Sequence, residues 1–88
     1  SAAIRRIEAN SQIAVDDPAR LINLGIAHAR EGRLAEARAL FDAVMNHEDR
    51  VRLETASGEW VDSKRLAYRA MAMLNDGKLD TRARMAAR

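Results

Sequence analysis

Residues 18–45 carry the pattern that most restricts what this chain can fold into: two stretches of helical apolar spacing separated by one glycine turn. In the first, Leu21, Leu24, Gly25 and His28 fall at i, i+3, i+4 and i+7, one stripe of a helix. Ile22, Ile26 and Ala29 form a second stripe a quarter-turn or more away. A helix that is apolar on two faces is sandwiched between neighbours. In the second stretch Leu34, Ala37, Leu40, Phe41, Val44 and Met45 share one face. Gly32 lies between the two, where a residue able to take a positive φ ends a helix. A connection this short makes the two helices antiparallel neighbours. Gly25 inside a helix costs about 1 kcal/mol relative to Ala. The expected return is close approach of the partner helix, with Ala37 small opposite it and Phe41 filling the space.

The same residues resemble a tetratricopeptide repeat. Leu21, Leu24, Gly25 and His28 stand at the W-x2-L-G-x2-Y spacing, and Ala37 and Phe41 at the A-x3-F spacing. Leu21 replaces the usual Trp, His28 the usual Tyr and Val44 the usual small residue, and the closing Pro is missing. The resemblance covers about one repeat of the ~34-residue period. It implies a helical hairpin that recognises other proteins without chemistry of its own. It also implies that the exposed side of the first helix lines a peptide groove, which would be Ala19, Ile22, Ile26, Ala29 and Arg30, with Asn23 before the Leu-Gly pair. The apolar spacing leaves a second reading of Ile22, Ile26 and Ala29: another helix of the same chain covers them. A lone repeat cannot bury its own faces, so flanking segments or a second subunit must complete the stack.

Residues 2–15 form a first helix, with Ala3, Ile4, Ile7, Ser11 and Ala14 at helical spacing. Asp17 is a natural N-cap for a second helix over 18–31, and Pro18 sits where its missing N–H costs nothing. The third helix covers 34–47. Residues 50–61 then alternate with a period near two, turn at Ala56-Ser57-Gly58 and return through Glu59-Trp60-Val61. A β-hairpin is expected, with Gly58 left-handed in a bulged turn. Val51, Leu53 and Val61 share its inner face, and Trp60 projects from the other unless a bulge rotates it inward. Asp62-Ser63 caps a fourth helix over 63–76, with Val61 and Leu66 as a hydrophobic staple. Leu66, Ala67, Ala70, Met73 and Leu74 make its buried face. Residues 77–88 form a basic tail. The whole is one mostly α domain: a tetratricopeptide-like hairpin with flanking helices and a small β-hairpin.

The chain has 88 residues, which sets one domain as the expectation. It has no Cys, which excludes disulfides and Cys-based metal sites. No apolar run approaches the ~20 residues of a membrane span. Cytoplasm and periplasm both remain compatible, and the helical start at Ser1-Ala2-Ala3 is compatible with a removed export signal. Formal charge is +2 from 15 basic and 13 acidic residues. The excess gathers at Lys78, Arg82, Arg84 and Arg88; elsewhere the signs interleave as on solvated helix faces.

Chemical constellations are sparse. His28 sits inward, as a packed side chain. His47 lies at a helix C-terminus, where the dipole favours a cation. Its neighbours Glu48 and Asp49 converge poorly on a metal ion. Asp16-Asp17 reads as capping, because consecutive carboxylates point apart. Isolated glycines make no phosphate loop or dinucleotide fingerprint. Met71, Met73, Met85 and Trp60 are expected to plug a small core against the hairpin. No catalytic, cofactor-binding or metal-ligating residue is assigned.

The function these features imply is protein–protein interaction or scaffolding, with another protein or peptide as partner. Two alternatives accompany it. One is a homo-oligomer whose subunits supply the missing repeats. The other is nucleic-acid binding through the basic tail, disfavoured because stacking aromatics do not accompany the charges.

Overall fold

The computed structural model describes residues 2–9 and 16–79. The elements in order are α1 (Ala2–Ala9), α2 (Pro18–Arg30), α3 (Leu34–Met45), β1 (Arg52–Glu54), β2 (Trp60–Asp62) and α4 (Ser63–Asn75). The fold is mostly helical with one two-stranded antiparallel hairpin, as the sequence pattern requires. Of the first helix expected over 2–15, residues 10–15 lie outside the described residues.

α2 begins as its sequence dictates. Asp17 Oδ1 accepts the backbone N–H groups of Ala19 at 2.7 Å and Arg20 at 3.4 Å, and Pro18 occupies the first turn. Arg20 is buried, and its guanidinium donates at 3.1 Å to the carbonyl of Glu8 near the end of α1. That bond ties α1 to α2, as does a small cluster of Ile4, Leu24 and Ala27 with Ile7 and Leu40 against it.

α2 and α4 end in the same way. Gly32 has φ +79°; its N–H donates to Ala29 O and that of Arg33 to His28 O. Gly77 has φ +70°; its N–H donates to Leu74 O and that of Lys78 to Met73 O. Both are Schellman ends, which satisfy the last helical carbonyls and need a residue that tolerates positive φ. Each is followed by Leu, at 34 and at 79. Leu79 is buried, so the first residues of the expected tail are anchored, whereas Leu34 is 44 % exposed and leaves the inner face assigned to it.

The main core joins α2, α3, α4 and β2. Ile22, Ile26 and Ala29 meet Ala37, Phe41 and Val44 of α3, Val61 of β2, and Leu66, Ala67, Ala70 and Leu74 of α4. Gly25 is where α2 and α3 press closest. A Cβ added there would stand 2.5 Å from Phe41 Cε1, inside any real contact distance. Phe41 and Ala37 are fully buried, as the close-crossing reading requires.

The hairpin pairs Arg52 with Asp62, Leu53 with Val61 and Glu54 with Trp60. Its turn is closed by Gly58 N–H to Thr55 O at 2.9 Å and Thr55 N–H to Glu59 O at 2.8 Å, with Gly58 at φ +88°. This is the bulged three-residue connection the sequence implies. Val61 is buried and Leu53 half-buried. Leu53 and Val61, expected on the inner face, are both more buried than Arg52, and Val61 is more buried than Glu54; Leu53 and Glu54 are both half-buried. Val51 is 37 % exposed and so leaves the inner face expected of it.

Candidate functional site

Strand register decides what the hairpin shows to solvent. Side chains alternate across a strand, so burying Val61 and half-burying Leu53 turns Arg52, Glu54, Trp60 and Asp62 outward. Trp60 is 57 % exposed. It therefore does not plug the core, and the bulge at Gly58 leaves it on the outer face. Met71 and Met73, by contrast, do pack partly against the core; Met85 lies outside the described residues.

α4 starts directly from β2, so its first turns run alongside this outer face. Asp62 Oδ2 accepts the Arg65 N–H at 3.1 Å and caps the helix. Its other oxygen lies 3.4 Å from Arg50 Nε. Positions three and four apart are neighbours on a helix surface, so Arg65 is adjacent to Tyr68 and Arg69. The Arg69 guanidinium grips the Glu59 carboxylate at 3.1 and 3.4 Å. Arg52, Glu59, Trp60, Asp62, Arg65 and Arg69, over a floor that includes Val61, enclose a shallow groove of about 450 Å³. Beyond it Tyr68, 68 % exposed, borders a hollow of about 210 Å³ with Met45, Met71, Ala72 and Asn75.

The residues expected to bind a partner are dispersed by the fold. Ile22, Ile26 and Ala29 are buried against α3 and α4, which corrects the groove reading for all three. The physical reason is α4: it supplies the second apolar surface that a two-striped α2 needs, and covers Ile22 and Ile26. Ala19 and Asn23 are half-buried, and only Arg30 is exposed. Arg30 and Ala29 border a cavity of about 280 Å³ with Gly32, Leu34, Leu74 and Leu79, near the ends of α2 and α4.

The histidines stay apart. His28 is half-buried, and its Nδ1 has no hydrogen-bond partner among the described residues. His47 lies past the end of α3 at Met45, so more than a helix dipole engages it. Its Nδ1 accepts the Asp49 N–H at 2.9 Å, which leaves the ring proton on Nε2, facing Asp16 Oδ2 at 3.4 Å. The contact joins the approach to α2 with the exit from α3. Asp16 and Asp17 thus serve different partners. Among the described residues, no group of three or more His, Cys, Asp or Glu side chains is placed to hold a metal ion. None of the described helices is long and apolar enough to cross a membrane. Lys78 is exposed, while Arg82, Arg84 and Arg88 lie outside the described residues.

Compared with protein-family models, with curated proteins and with solved structures, the chain has no match in any of the three.

The groove is not apparent in the sequence. The signals were Trp60 in a strand facing away from Val61, and arginines at 52, 65 and 69; what joins them is strand pairing and the direction of α4.

Proposed function

We propose that this chain is a non-catalytic protein–protein interaction or scaffold module of the tetratricopeptide-repeat type, and that its working surface is the outer face of the hairpin and α4. The observation that carries this reading is the placement of the aromatic side chains. The chain has one Trp, one Tyr and one Phe, and only Phe41 is in the core. Trp60 and Tyr68 are left at the surface beside arginines, the residue types that anchor protein interfaces.

The likeness to a repeat draws support from the α2–α3 crossing at Gly25 and from the matched ends of α2 and α4. Aligning those ends sets Leu66 against Leu21 and the buried Ala70 against Gly25. In this reading α4 stands where the first helix of a following repeat belongs, with the hairpin inserted before it.

Site-resolved photo-crosslinking tests the reading. A photoreactive amino acid would be placed at Trp60, at Tyr68 and, as a control, at exposed Ala35 of α3, in the cells that make the protein. The expected result is one defined protein joined at Trp60 and Tyr68 but not at Ala35, which then binds the purified chain. Adducts with nucleic acid alone, or none above the Ala35 control, would reject it.

A further inference from the structure

We propose that the groove between the outer face of the hairpin and α4 takes an acidic peptide segment of a partner protein, with Trp60 as its apolar contact and Arg52 and Arg65 as its carboxylate anchors. This rests on reading the chain as an interaction module and specifies the chemistry of the partner.

Three observations point the same way. Each acid of the groove already has a partner: Asp62 Oδ2 caps α4 while its Oδ1 lies 3.4 Å from Arg50 Nε without a hydrogen bond, and Glu59 is held by Arg69. The guanidinium groups of Arg52 and Arg65 make no ion pair or hydrogen bond among the described residues, and both side chains are exposed. The groove therefore presents, beside an exposed indole, two guanidinium groups with no hydrogen bond or ion pair among the described residues, and three arginines against two acids. Finally, Glu59 lies across Arg69 in a two-point contact. The chain's own carboxylate thus displays the mode in which an incoming one would meet Arg52 or Arg65. Guanidinium donors match a carboxylate in this forked geometry.

A flexible peptide fits better than a nucleic acid. Single strands are held by a positive track along the phosphates together with aromatic stacking on successive bases. Here Glu59 and Asp62 interrupt any such track, and Trp60 is the one aromatic side chain lining the groove. A peptide can place its carboxylates at the two arginines, lay an apolar side chain on the indole and keep clear of the acids.

Trp60 is the chain's single Trp, so its fluorescence reports on this groove alone. The probe is a blocked peptide of Glu and Asp around one central Leu, titrated into the full chain. A saturable blue shift of Trp60 emission is expected, weakening as salt rises because the cations are exposed. Arg52→Glu with Arg65→Glu should reduce affinity at least about tenfold, equivalent to about 1.4 kcal/mol. Arg52→Gln with Arg65→Gln should do the same without adding negative charge, and Lys78→Glu should bind as the parent does. Circular dichroism checks that each variant is folded. An unmoved Trp60 signal, unchanged affinity in the paired variants, or tighter binding of a single-stranded oligonucleotide would overturn the proposal. If the peptide fails while crosslinks at Trp60 and Tyr68 still recover a protein, the acidic partner class is wrong and the interaction reading stands. Failure of both removes both.

Discussion

Val51 and Ser63 are joined by two hydrogen bonds of different kinds. The Ser63 N–H donates to the Val51 carbonyl at 2.7 Å, and the Val51 N–H donates to Ser63 Oγ at 3.1 Å. An antiparallel ladder would use the Ser63 carbonyl for the second bond, but Ser63 opens α4, where that carbonyl serves the helix. The hydroxyl stands in for it. One buried serine thereby continues the strand pairing by a further step and welds the hairpin to the start of α4.

Ser63→Ala should therefore destabilise the chain by about 1–3 kcal/mol, since it removes the acceptor from a part-buried N–H. The urea midpoint should fall with little change in slope. An unchanged midpoint would show that water replaces the hydroxyl at no cost.

The Gly25–Phe41 contact leads to a second expectation. Gly25→Leu overpacks a ring that has no exposed side and should cost on the order of 1–3 kcal/mol. For a domain of this size each kcal/mol lowers the melting temperature by about 4–8 °C. Phe41→Leu in the same chain should recover part of the loss, with a coupling of about 0.5–3 kcal/mol in a double-mutant cycle. Strictly additive effects would refute close packing at this point.

Ile26 separates core from surface. With its side chain enclosed by α3 and α4, Ile26→Asp buries an unpaired carboxylate. The loss should be several kcal/mol, comparable to the whole stability of a small domain at about 5 kcal/mol. Far-ultraviolet circular dichroism should show loss of helix. A folded Ile26→Asp chain would mean that this side of α2 is open after all.

The opposite outcome is expected at the surface. Trp60→Ala and Tyr68→Ala should each shift stability by no more than about 0.5 kcal/mol, because neither side chain belongs to a buried cluster. A loss above about 2 kcal/mol in thermal unfolding would assign these aromatics to folding rather than to recognition.

What was legible in the sequence was whatever depends on near neighbours. Asp17-Pro18, Gly32, Asp62 and Gly77 mark helix ends because capping needs only the adjacent turn. The hairpin could be read from alternation about Gly58, and the close crossing from a glycine placed where a helix can least tolerate one. Which apolar stripe is covered was not legible. Ile22 and Ile26 look the same in sequence whether α4 or a partner lies on them. The exposure of Leu34 and the contact of His47 with Asp16 likewise depend on segments distant along the chain. The groove needed both the register that sets Arg52 opposite Asp62 and the path of α4 that brings Arg65 and Arg69 to Trp60. Neither is a property of any short window.

We propose that recognition takes place on the outside of the hairpin and α4 and not on α2. Amide chemical-shift mapping of the full chain, titrated with the protein recovered by crosslinking, tests it most directly. The predicted result is one continuous set of shifts over Arg52, Trp60 and its indole N–H, Arg65, Tyr68, Arg69 and Ala72, with Ile22 and Ile26 unmoved. Shifts centred instead on Ala19, Asn23 and Arg30 would contradict it.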